Sequence, residues 1–283
     1  MPTLRRCALA ALVIEFALTL VSAAAYADPA SPAGCQLEPG GESTVLAIAG
    51  PQTLHLADGR LIRLAEILPP AAAIPGSNFD PSAAAVAYLQ SVTLGRKVEV
   101  RFGGGRHDRY GVTIAHVYVA GESQLWLQEG LVSAGLAQVF PQTGNHACFR
   151  QLAVSEMKAR RESRGLWGLA FFKVLQASDA RSILNLVQTY QIIEGKAEHV
   201  AHAGARLIVH FSEKSKTGFN AVIEPAALKQ LSEQDPDGWQ GKMLRIRGWI
   251  ERKKGPAISI TQPEQLELLD RKPGEIDEHE PQQ

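Results

Sequence analysis

The chain has 283 residues, about what two modest domains need. Its 29 basic residues balance 29 acidic ones, which excludes a protein drawn to nucleic acid by bulk charge and leaves room only for a local basic groove. Beyond the N-terminus, no stretch carries the roughly 18 unbroken apolar residues of a membrane span.

In chain order, Arg5 and Arg6 precede an apolar run at 8–25, and Ala25-Tyr26-Ala27 sets small residues where a signal peptidase reads. A secretory signal over 1–27 is expected, with export to the periplasm or the cell exterior. Glu15 within the run argues against a retained anchor. Loss of Arg5, Arg6 and Glu15 leaves 27 basic and 28 acidic residues, with Cys35 and Cys148 as the remaining cysteines. An even pair in an oxidising compartment suggests one disulfide, two free buried thiols being the alternative. Residues 28–42, rich in Pro, Gly and Ala, are expected to form a linker.

Short β-prone runs follow at 43–49, 53–57 and 60–64, the last two joined by the hairpin dipeptide Asp58-Gly59. Asp80-Pro81 opens a helix that Gly95 stops. Strands are expected at 97–102 and 112–119, then helices at 124–134 and 148–163 that end at Gly135 and Gly165. Five strands with a helix between the third and fourth make the order of an OB-type barrel, here with three helices. After a connector at 169–182, a second β-rich unit at 183–270 shows strands at 190–200, 206–211, 218–223, 242–251, 257–260 and 265–269 around a helix at 225–232. The fold class is therefore β-rich α+β, an OB-fold barrel followed by a second small OB-like β-barrel. Residues 271–283 are charged and Pro-containing, which predicts a disordered tail.

Four stretches of the first unit carry a shared pattern: Ser43-Thr44-Val45-Leu46; Asp58-Gly59-Arg60-Leu61-Ile62-Arg63-Leu64; Asp108-Arg109-Tyr110-Gly111; and Glu129-Gly130-Leu131-Val132 with Gly135-Leu136-Ala137, later joined by Glu156 and Gly165-Leu166-Trp167. In this order and spacing, residues 43–168 resemble the thermonuclease (staphylococcal-nuclease-like) family. The resemblance implies a chemistry in which carboxylates hold Ca²⁺, a glutamate activates water, and two arginines stabilise phosphoryl charge.

Arg63 matches the first family arginine. Gln52, in Gly50-Pro51-Gln52-Thr53, stands where the family's D-G-D-T turn has its metal-binding acid. Leu68 and Ala71, in Leu68-Pro69-Pro70-Ala71, replace the acid and the general base of D-x-P-E, and Val112 replaces the second arginine. With the N-terminal signal, the resemblance and these departures from it lead to the expectation of an exported thermonuclease-like protein without Ca-dependent phosphodiesterase activity, needing no metal or cofactor and acting as a binding or scaffold module. The alternative is an active nuclease with relocated groups around Arg63, for which Ca²⁺ is expected.

Several other residues bear on that choice. Glu66 is a candidate relocated acid or a strand-end charge. His107 and Asp108 sit in a turn beside the implied site; His55 and His116 fall on strands without a partner at ligand spacing. Arg109 and Tyr110 match the family's nucleotide-pocket residues and combine a cation with an aromatic face, as single-strand binding requires. Lys158, Arg160, Arg161 and Arg164 suit a helix C-terminus. In the second unit, Arg245, Arg247 and Trp249 share one strand face by alternation and form a second nucleic-acid-binding candidate. The expected partner is single-stranded nucleic acid or an envelope protein. Ile193-Glu194-Gly195-Lys196-Ala197, Arg245-Ile246-Arg247-Gly248-Trp249 and Gly255-Pro256-Ala257-Ile258 look like the small β-domain that follows thermonuclease domains in some exported bacterial proteins.

Overall fold

A computed structural model describes residues 35–269 except 72–73, 75–76, 122–123, 143, 145 and 214–216. The expected signal and tail lie outside the described residues. The expected linker does not remain one: β1 (Glu38–Gly50) begins inside it. Its first half pairs with β5 and its second with β2, and register shifts at Pro39/Glu42 and Val45/Ala47 bend this one strand across both pairings.

β2 (Thr53–Leu56) and β3 (Leu61–Leu64) form the hairpin that Asp58-Gly59 predicts. The Asp58 carboxylate accepts the backbone and guanidinium N–H of Arg60, and that side-chain bond holds its pKa at about 2. β4 (Ile67–Leu68) follows at once. In α1 (Pro81–Thr93), Asp80 accepts from the N–H groups of Ser82 and Ala83, satisfying donors that have no partner within the helix. β5 (Lys97–Phe102) and β6 (Thr113–Val119) complete the ring, because β6 pairs with β5 on one side and, in parallel, with β3 on the other. The result is a closed five-stranded barrel. Val45, Leu54, Leu56, Ile62, Val98, Val100 and Val117 fill it, each fully buried. Such burial contributes about 1.5–3 kcal/mol per side chain relative to exposure.

The segment expected as one helix at 124–134 divides. Trp126 stacks on Tyr118 across the strand pair, with ring centroids 5.9 Å apart. That contact keeps β7 (Leu125–Trp126) extended, and α2 (Leu127–Ser133) starts only afterwards. Gln128 then turns its amide back onto β6, donating to the Ala115 carbonyl and accepting the Val117 N–H. β8 (Gln138–Val139) pairs with β4, and α3 (Phe149–Arg161) closes the unit.

Gly135 and Gly165 both have positive φ, 66° and 51°, and their backbones touch. A Cβ on Gly135 would lie 2.1 Å from the Arg164 carbonyl oxygen, and one on Gly165 2.3 Å from that of Gly135. Gly165→Ala is therefore expected to cost at least about 2 kcal/mol, from the left-handed penalty plus the forced separation of α2 from the end of α3. Urea unfolding measures it; a loss under about 0.5 kcal/mol, the range of an ordinary surface change, contradicts the packing argument.

The second unit contains β9 (Leu175–Gln176), α4 (Ala180–Leu184), β10 (Tyr190–Lys196), β11 (His199–Ala203), β12 (Arg206–His210), β13 (Asn220–Ile223), α5 (Pro225–Gln230), β14 (Met243–Trp249), β15 (Glu251–Arg252), β16 (Pro256–Ile260) and β17 (Leu266–Leu269). β9 and the start of α4 fall in the expected connector. The run expected as one strand at 190–200 is two, because the chain changes sheet there: Ala197 N–H bonds Lys242 while Glu198 N–H bonds His210. The run at 242–251 breaks likewise at the buried Ile250. The strands form two sheets, β17-β14-β10-β9 and β11-β12-β13-β16-β15, around Leu207, Phe219, Ile223, Trp239, Leu244 and Ile246. The two units meet where Ala159, Leu166, Trp167 and Phe172 pack on Ile192 of β10.

Candidate functional site

Alternation along β3 buries Ile62 and Leu64 and leaves Arg63 half exposed on the outer face of the barrel. The turn before β6 meets it there. Asp108 Oδ1 accepts the N–H groups of Tyr110 (2.8 Å) and Val112 (3.0 Å), and Gly111 takes φ 79° to complete the turn. This leaves Oδ2 for Arg63 Nη1, at 2.7 Å. Partial desolvation pushes the Asp108 pKa up, but the two N–H donors and the charges of Arg63 and Arg109 outweigh it and hold the carboxyl below its ordinary value. The turn thus points Tyr110 outward, 72% exposed, with the Arg109 guanidinium 4.8 Å above its ring.

These groups line one side of a cavity of about 690 Å³, with His107 beside them. Tyr190, Trp249 and Glu251 of the second unit line the other. The Trp249 ring is half exposed and stands edge-on to Tyr190, centroids 5.8 Å apart. The family resemblance implies that Arg109 and Tyr110 lie near Arg63; only the folded chain brings Trp249 there.

Residues 61–168 match the family model described as staphylococcal nuclease homologue. The first unit is a thermonuclease-like domain. No curated protein matches the chain. Such a domain points to a nuclease-like or nucleic-acid-related function.

The thermonuclease-like domain places Arg63 in the cavity but offers little to a calcium ion. Gln52 supplies one neutral amide oxygen, Oε1, buried and without a hydrogen-bond partner. Leu68 lies half buried in β4, opposite Gln138, and Ala71 is exposed beyond two prolines. Val112 contributes its backbone N–H to Asp108 and no charge. A hard cation wants several oxygens, anionic ones above all, and this donor set does not fit it.

Glu66 does not line this cavity. It adopts φ 60° and is 1% exposed, so it lies within the thermonuclease-like domain rather than in the cavity. Its Oε1 accepts the Cys148 N–H at 3.0 Å and stands 3.7 Å from His116 Nε2. Cys148 forms the disulfide with Cys35 that the cysteine count suggests. His55 is exposed and His116 is core. Of the basic residues closing α3, Arg160 lies against the Trp167 ring at 5.8 Å; desolvation, with Arg245 and Arg247 close by, lowers its pKa to about 10. Arg164 pairs with Glu162 at the surface.

Arg245 and Arg247 are not the exposed basic face that their alternation with Trp249 suggests. Arg245 is committed to Glu194 at 2.7 Å and Glu267 at 2.8 Å. Arg247, 4% exposed, reaches across to the thermonuclease-like domain, where it meets Glu156 Oε2 at 2.9 Å and the Val139 carbonyl at 3.2 Å and lies over the Phe149 ring. Glu156 is fully buried and takes the Val139 N–H on its other oxygen. Gln128 does not announce itself in sequence, and Glu156, though part of the shared pattern, gives no sign there of Arg247, since each partner is many residues away. Among the described residues no helix is long and apolar enough to cross a membrane.

Proposed function

We propose that this exported protein binds single-stranded nucleic acid in the cavity at Arg63 and does not hydrolyse it through a calcium site. The observation that carries the reading is one cavity in which Arg63 and Arg109 stand among Tyr110, Tyr190 and Trp249. The guanidinium groups suit phosphates and the aromatic faces suit bases, stacking contributing roughly 1–3 kcal/mol per base. Replacement of the acids at Gln52, Leu68 and Ala71 and of the arginine at Val112 argues for binding without metal-assisted cleavage. Export draws on Arg5, Arg6, the apolar run and Ala25-Tyr26-Ala27, and a disulfide is consistent with it.

Fluorescence titration with a single-stranded oligonucleotide at two salt concentrations tests this. Trp249→Ala is expected to weaken binding about 5- to 150-fold, the equivalent of one stacked base. Arg63→Ala should weaken it and lower the salt slope by about one unit. Asp108→Asn should tighten it, because the Asp108 carboxylate competes with phosphate for Arg63; the lowered pKa keeps that competition in force at any pH above the ordinary carboxylate range. Salt-independent binding, or binding indifferent to all three changes, contradicts the assignment. A second reading, hydrolysis by relocated groups, draws on Asp108 and Glu251 lining the same cavity. Cleavage with divalent ions that Arg63→Ala abolishes in a folded protein would replace the first reading with this one.

A further inference from the structure

Among the described residues, one group of His, Cys, Asp or Glu donors lies close enough to share an ion, and none of its members lines the Arg63 cavity. It consists of Glu66, His116 and Cys148, whose donor atoms lie within 4.8 Å of one another. Each is 1% exposed or less. Three of the polar atoms have no hydrogen-bond partner: Glu66 Oε2 and both ring nitrogens of His116. Buried atoms of this kind are uncommon and call for an explanation. The fourth potential donor is already at hand, since Cys148 is bonded to Cys35.

We propose that reduction of the Cys35–Cys148 disulfide opens a four-donor site, made by both thiolates, His116 and Glu66, for a thiophilic divalent cation of the zinc type. A dithiol reductant breaks the S–S bond, is itself oxidised to its disulfide, and leaves Cys35 and Cys148 as thiols. Binding of the cation then releases their two protons. Two sulfurs, one imidazole and one carboxylate suit zinc and not a hard ion such as calcium. Metal–donor bonds of about 2.0–2.3 Å place tetrahedral donors roughly 3.3–3.8 Å apart. His116 Nε2 and Glu66 Oε1 already stand at 3.7 Å, the Cys148 sulfur lies within 4.8 Å of both, and on reduction the Cys35 and Cys148 sulfurs part from bonding distance to about 3.8 Å. The site uses four separate places in the chain: the segment before β1, the turn after β3, the middle of β6, and the residue preceding α3. A bound cation would therefore tie the barrel at the points the disulfide ties, and at two more.

The test uses the purified protein in oxidised form and after reduction by a phosphine, with Co²⁺ and Zn²⁺ as probes. Reduced protein is expected to bind one equivalent of Co²⁺ with a near-ultraviolet thiolate charge-transfer band and the intense visible bands of tetrahedral cobalt, displaced by Zn²⁺. Zn²⁺ should raise the melting temperature of the reduced protein and leave the oxidised protein unchanged. His116→Ala should weaken Zn²⁺ binding by more than about tenfold. Melting of the oxidised variants establishes that they fold, and His116→Gln serves if the alanine leaves too large a void. The proposal is overturned if the reduced protein takes up no stoichiometric metal, or if Zn²⁺ fails to restore a reduced chain that has unfolded. It is overturned equally if His116→Ala and Glu66→Gln bind as tightly as the parent, because two thiolates alone then account for the uptake.

Discussion

Arg247→Ala is expected to destabilise the protein by about 3–5 kcal/mol, the range for breaking a buried ion pair by removing one partner. The guanidinium lies between the two units, where it neutralises the fully buried Glu156, donates to the Val139 carbonyl and covers the Phe149 ring. Its removal leaves a carboxylate in the interior held by the Val139 N–H, with Arg160 as the remaining positive charge nearby. The loss comes from that stranded charge more than from the bond. Adding Glu156→Gln to Arg247→Ala should therefore recover much of it, since the amide oxygen still accepts from Val139 and the charge is gone. Urea unfolding of the four proteins in the cycle gives a coupling energy, expected near the upper end of 0.5–3 kcal/mol. A loss below about 1 kcal/mol on Arg247→Ala would mean that solvent reaches Glu156.

The second large effect belongs to the disulfide. Cys35 and Cys148 are separated by 113 residues, so the bond closes a loop containing the whole barrel. Loop-closure entropy for about 100 residues amounts to roughly 4.7 kcal/mol, and native disulfides commonly contribute about 2–5. The Cys35→Ser, Cys148→Ser double variant is expected to lose stability in that range, seen as a lower melting temperature in metal-free buffer. Adding reductant should bring the parent down to the variant and leave the variant where it is. A parent that melts identically with and without reductant contradicts the expectation.

Much of the barrel is legible in sequence because its signals are local. Period-two runs, the Asp58-Gly59 turn and the Asp80 cap each act within a few residues, and the strands and α1 appear nearly where they point. What escapes notice depends on partners far along the chain. Trp126 is held extended by Tyr118, so the expected helix at 124–134 starts late. β1 reaches back to Glu38 because β5 lies beside it, whatever the Pro and Gly content there suggests. For the site, Arg63, Arg109 and Tyr110 are readable as family positions, whereas Trp249 joins them only through the packing of one unit on the other. Alternation correctly groups Arg245, Arg247 and Trp249 on one face; it carries no information about Glu194, Glu267 and Glu156, which occupy the two arginines.

The Val139 carbonyl accepts both from the Tyr190 hydroxyl and from Arg247, and Tyr190 itself walls the Arg63 cavity. The two walls are thus fastened to each other at the edge of the opening between them. On the binding reading proposed above, a gap held in this way would be preorganised, with little binding free energy lost in closing it. On that reading, discrimination between an unpaired strand and a duplex would rest on aperture, a steric gate set when the chain folds.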